Sequence, residues 1–174
     1  MRAVESRYSA EHHMASVNLI FDDEQTTYLR ELSEKMNLDF GEFIPHATLI
    51  NVTKQDIPRL KLAAAALPSL DKLVLDGVSF LPDEAGNCVC VELRVQKTSW
   101  MVEVRRKLLE ILDDIHPGLD IDGFRPHITL GIVEAGTLGD VDMSAIPRQL
   151  PVITKPRAAA CYNGVHGKVV EVVE

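Results

Sequence analysis

Two pentapeptides constrain this chain more than any other feature: PHATL at residues 45–49 and PHITL at residues 126–130. Each opens a short apolar stretch rich in branched residues, HATLINV and HITLGIV, and each follows a segment with helical periodicity. The same string in the same local setting argues for two geometrically similar halves. The remaining sequence of the halves is not visibly alike, so any duplication is old and survives only as geometry.

Around the two strings the element order is readable. ASVNLIF at 15–21 reads as a strand. DDEQTTYLRELSEKMN reads as a helix, with Tyr28, Leu29, Leu32 and Met36 at helical spacing and Asp22 or Asp23 as its cap. A second strand begins at His46, and DIPRLKLAAAALPSL (56–70) reads as a helix with Pro58 near its start. Two alternating apolar runs flank DEAGN within 73–95, which predicts a β-hairpin. TSWMVEVRRKLLEILDDIH (98–116) has apolar residues at 101, 104, 108, 111, 112 and 115 and predicts a long amphipathic helix. HITLGIV, PVITKPRAAACYNGV and KVVEVVE supply further strands, whereas 136–149 has no readable period. Residues 1–14 are polar and mixed in charge, and are expected to be a mobile segment outside a single domain's core.

On a strand, side chains two apart share a face. His46 and Thr48 should project together, as should His127 and Thr129, with Ala47, Leu49, Ile128 and Leu130 turned to an apolar layer. Both the histidines and the threonines are 81 residues apart (127 − 46 and 129 − 48). Two imidazoles and two hydroxyls converging on one cleft suit phosphodiester cleavage. That reaction needs a base for water, an acid for the departing oxygen and donors for the phosphate oxygens. A single His-x-Thr on a strand is ordinarily structural, and it is the second copy in the same setting that favours function. A metal-ligand reading is weakened because no acidic or cysteine residue lies within either motif to complete a site.

Composition sets limits on partners. The net charge is −8, which argues against a broad footprint on long duplex nucleic acid but leaves room for a small phosphate ligand held by a few donors. No run is long and apolar enough to span a bilayer, and the N-terminus lacks the apolar core of a secretory signal, so a cytoplasmic monomer is the default expectation. Cys88, Cys90 and Cys161 are an odd count and are read as buried small hydrophobes.

P-H-x-T-L twice, about eighty residues apart, resembles the two-histidine (2H) phosphoesterase superfamily, in its 2′-5′ RNA ligase-like and RNA 2′,3′-cyclic phosphodiesterase branch. GFRPHITLGIV is the stronger half, and the hairpin LDGVSFLPDE/NCVCVELRV sits where that family has one. The resemblance implies a bilobal α+β fold, with two pseudo-symmetric lobes, antiparallel-rich central sheets, outer helices and a cleft between the lobes. It implies hydrolysis of 2′,3′-cyclic phosphates to 2′-phosphomonoesters without cofactor or metal, together with ATP-independent RNA joining in part of the family. Carried over by position, His46 is the acid on the leaving O3′, His127 is the base on water, and Thr48 and Thr129 hold the phosphate. Two departures, the acidic net charge and a first motif without a leucine-rich run toward glycine, favour a nucleotide or short RNA end as partner. A nucleotide-binding module using the same cleft without turnover is the alternative.

Further candidates are weighed by position. Arg125 lies two before His127 and could reach the phosphate, or form a surface ion pair. Phe43 and Phe124 each lie three before a motif histidine and could stack on a base, as could Tyr162 and Trp100 with weaker support, against core packing as the alternative. His12, His13, His116 and His166 are read as structural or solvent-exposed.

Overall fold

The computed structural model describes residues 15–83, 85–115, 121, 123–164 and 168–173. His12, His13, His116 and His166 lie outside them. The elements run β1 (Ala15–Ile20), α1 (Asp23–Lys35), β2 (His46–Val52), α2 (Ile57–Ala65), β3 (Lys72–Pro82), β4 (Cys88–Val95), α3 (Ser99–Ile111), β5 (His127–Glu134), β6 (Val152–Thr154), β7 (Arg157–Asn163) and β8 (Val169–Val173). The order matches the expected alternation. Two helices end earlier than expected: α2 stops ahead of Pro68, which disfavours helix in the residue before it, and α3 stops at Ile111. The segment without a readable period holds two short 3-10 helices, Ala135–Asp140 and Met143–Ala145.

Local chemistry explains the helix starts. Asp22 accepts from the Gln25 amide at 2.8 Å, Asp56 caps α2 with Pro58 in its first turn, and Thr98 caps α3. No helix among the described residues is long and apolar enough to cross a membrane.

The eight strands among the described residues join one antiparallel sheet in the order β6-β3-β4-β5-β2-β1-β7-β8. The two motif strands, β5 and β2, are therefore adjacent at its middle, with three strands outside each. Their seam is thin, held by one residue pair, Ala47 with Ile128. The helices compensate by crossing it: α1 packs on β5 and α3 on β2, while α2 covers β1 and β7. Leu29, Leu32, Met101, Val104 and Leu108 from α1 and α3 are buried in one core with Ala47, Leu49, Ile128 and Leu130.

Both motif strands carry a bulge at the same letter of the repeat. Thr48 pairs with Asn18 and Ile50 with Val17, which leaves Leu49 as the extra residue against β1. Thr129 pairs with Glu92 and Gly131 with Val91, which leaves Leu130 as the extra residue against β4. A bulge takes a residue out of the ladder and bends the strand. Each displaced carbonyl finds a buried donor: Ser33 of α1 donates to the Leu130 carbonyl at 2.8 Å, and Arg105 of α3 donates to the Leu49 carbonyl.

Leu130 is fully buried at this junction, so Leu130→Ala should cost about 2–5 kcal/mol. Urea unfolding should show the midpoint falling accordingly, and an unchanged midpoint would refute this packing.

Candidate active site

The pairing of Ala47 with Ile128 fixes which side of the sheet carries chemistry. Those residues face the helices, so His46, Thr48, His127 and Thr129 project from the opposite face, where all four are partly exposed. Continuing the antiparallel register by one residue each way sets His46 against Thr129 and Thr48 against His127. The sequence-predicted quartet is thus brought together at the seam. The histidines are close enough to repel each other electrostatically.

Each imidazole is anchored in the same way. His46 Nδ1 lies 2.7 Å from the Ile44 carbonyl, and His127 Nδ1 lies 2.8 Å from the Arg125 carbonyl. A carbonyl only accepts, so both Nδ1 atoms carry the proton and Nε2 is left as the working nitrogen. In both motifs the anchoring carbonyl belongs to the residue before the proline, where the chain is held extended.

The charges around the two rings differ. Burial, with the smaller repulsion of His127 added, pushes His46 down to about 4 against the opposing pull of the Ile44 carbonyl, so it is neutral at physiological pH. His127 Nε2 instead lies 3.4 Å from Glu92 Oε1. The Glu92 side chain is only 2% exposed, and its other oxygen accepts from Arg125 at 2.8 Å and Ser79 at 3.2 Å. Cys90 Sγ lies 3.7 Å from Thr129 Oγ1, and burial raises its thiol to about 12, which keeps it protonated and unreactive. Arg94 pairs with His127 in register on the same face, folded over Gly77 and bonded to Asp76 at 3.1 Å. A Cβ at Gly77 would lie 2.7 Å from the Arg94 guanidinium. Lys168 lies near enough to interact with Cys90 and Asp39.

Of the aromatic candidates, Phe124, Tyr162 and Trp100 do not reach this face, whereas Phe43 meets it through Lys168. Phe124 is buried, with the Arg105 and Lys97 cations 5.2 and 5.9 Å from its ring centre. Phe43 has Lys168 stacked 4.0 Å from its ring centre, so that face of the ring is taken. Tyr162 pairs with Ala15 and shares its helix-side face, away from the histidines. Trp100 also lies on the helix side, lining a cavity of about 460 Å³ with Leu19, Leu67 and Pro68. Arg125 is beside the quartet as expected, but one arm is committed to Glu92 while 56% of the side chain stays exposed. Glu92, Arg94 and Lys168 were not singled out in the sequence. A signal existed for Glu92, the one acidic residue in the apolar run CVCVELRV.

No family model and no curated protein matches the sequence. Solved structures do match. The crystal structure of a phosphoesterase superposes with a TM-score of 0.52 at 13% identity, over 94% of this chain and 97% of that one. The chain shares that phosphoesterase fold. Looser likenesses, with TM-scores of 0.49 and 0.43, are to Escherichia coli LigT complexed with phosphate (14% identity, 94% and 96% of the chains) and to Kluyveromyces marxianus Usb1 with uridine monophosphate (11%, 79% and 78%). In this phosphoesterase fold the His–Thr quartet sits on the strands at the centre of the sheet.

The depressed His46 links stability to pH. Its folded value, about 4, lies below its ordinary value of 6.5, so between these the unfolded chain binds more protons. Stability from the neutral ring is therefore complete above about 6.5 and lost as pH falls toward about 4. Denaturant midpoints of wild type and His46→Gln, compared across that window, should show the wild type losing more stability on acidification. Parallel curves would refute the shift.

Proposed function

We propose that this chain is a two-histidine phosphoesterase that hydrolyses the 2′,3′-cyclic phosphate of a nucleotide or short RNA end to a 2′-phosphomonoester. The observation that carries the reading is the seam quartet, with two Nδ1-anchored histidines and two threonine hydroxyls on one face of adjacent strands. The phosphoesterase fold supports it. So does the clustering of Arg94, Arg125 and Lys168 on this side of a chain whose net charge is −8, since a local basic rim suits a small anionic ligand.

The free-state charges support a division of labour opposite to the one the family resemblance implies. His46 is neutral and has a free Nε2, so it takes the proton of the attacking water. His127 has a carboxylate partner for its imidazolium form and supplies the proton to O3′ as the phosphorus–O3′ bond breaks. Thr48 and Thr129 donate to the non-bridging oxygens, where negative charge builds up. With a 5′-hydroxyl in place of water and the roles unchanged, the same groups would join it to a cyclic phosphate without ATP. The roles exchange only when that joining runs backwards.

A panel of 2′,3′-cyclic mononucleotides with product analysis tests the proposal. The expected product is the 2′-phosphate, formed equally in excess chelator, and the pH profile should be bell-shaped with its acid limb near the His46 value of about 4. His46→Ala and His127→Ala should each lower the rate roughly 10²–10⁴-fold. Near wild-type turnover in either variant would end the proposal. Saturable nucleotide binding without any product would favour a binding module instead.

A further inference from the structure

The two His–Thr pairs share a backbone setting but not their outer neighbours. Asn18 stands opposite Thr48, and Glu92 stands opposite Thr129. Both are buried, one as a neutral amide and the other as a carboxylate. A lone carboxylate in that position would be costly, so its partners matter. Arg125 and Ser79 take Oε2, which fixes the group and leaves Oε1 to His127. The other side of the ring is anchored to the Arg125 carbonyl. Both ring nitrogens thus face acceptors, and only the imidazolium has a proton for each.

The other charges near His127 do not offset this arrangement. Arg94, opposite on β4, is bonded to Asp76, and Arg125 is paired with Glu92 itself. His46, across the seam on β2, is neutral. Lys168 interacts with Cys90 and Asp39.

We propose that Glu92 is a positioning residue that holds His127 as an imidazolium at the seam, and thereby makes His127 the proton donor and leaves His46 as the base. The inference rests on the phosphodiesterase reading above and acts wholly through His127. At 3.4 Å the contact is long for a hydrogen bond, so the Nε2 proton is not held tightly. During cleavage that proton moves to O3′, which keeps the electron pair of the broken bond. His127 becomes neutral, and Glu92 stays ionised against Arg125.

Nitrogen-15 spectra of the imidazoles, compared for wild type and Glu92→Gln near neutral pH, read this directly and need no turnover. Wild-type His127 should carry protons on both nitrogens, and the variant should lose the one on Nε2 while His46 stays unchanged. Turnover of a 2′,3′-cyclic nucleotide should fall about 10- to 100-fold. A nucleotide p-nitrophenyl ester, whose leaving group needs no acid, should be much less affected, whereas structural damage would slow both alike. A neutral His127 in wild type, a doubly protonated one in Glu92→Gln, or equal losses on both esters overturns the inference. If Glu92→Gln does not fold, the wild-type spectrum and Glu92→Asp decide, with the shorter carboxylate expected to keep the second proton on His127 and its loss counting against. Correct spectra in a protein that cleaves no ester would sink the phosphodiesterase reading and leave the Glu92–His127 pairing standing.

Discussion

A carbonyl pushed out of a β-ladder inside an apolar core must find a donor, and much of this architecture follows from two of them. Leu49 and Leu130 occupy the same letter of a repeated string, bulge in the same way and expose the same group. Their donors come from the opposite halves of the chain. Ser33, on the helix before the first motif, serves the second, and Arg105, on the helix before the second motif, serves the first. An unsatisfied carbonyl here would cost on the order of 1–3 kcal/mol, so each contact is a strong constraint on helix placement. With only one residue pair between the motif strands, this crossed bonding, together with apolar packing, fixes the seam.

The backbone repeats, but the electrostatics do not. Acid–base catalysis needs two groups of one chemical kind kept in different proton states, and two identical environments would give two identical histidines. For the proposed reaction, the difference lies one strand further out, with an amide beside one threonine and a carboxylate beside the other. The five buried polar residues among those described are Ser16, Asn18, Ser33, Glu92 and Arg105. Four of them pair with a motif residue or bond its carbonyl, and Ser16 accepts from Asn18 at 2.6 Å. Buried polarity is concentrated around the two motif strands, on both faces of the sheet.

Strand and helix order, the hairpin, the helix caps and the shared face of each His–Thr pair were legible because they depend on local periodicity. What was not legible depends on pairing register. Nothing in PRAAACYNG says that Tyr162 faces the helices, because that follows from its partner Ala15 nearly the whole chain away. Phe124 looks like Phe43 in sequence, yet one is enclosed by Arg105 and Lys97 and the other lies under Lys168. The proposed roles of the two histidines could not be read from identical motifs, since the contact that distinguishes His127 comes from Glu92 on β4. The bulges were hidden as well, because leucine fits a regular strand as easily as a bulged one.

The sheet order also bears on how the molecule is made. β1 is the first described strand to be synthesised, and it lies between β2 and β7, the latter among the last. During translation one flank of β1 therefore waits as an unpaired edge until β7, more than 130 residues further on, has been made. Closing so distant a pairing is slow, and open edges invite wrong partners in the meantime. The side of the sheet bearing His46 is thus closed by β7, a strand from beyond the second motif, so neither half of the repeat completes its own part of the sheet from its own residues.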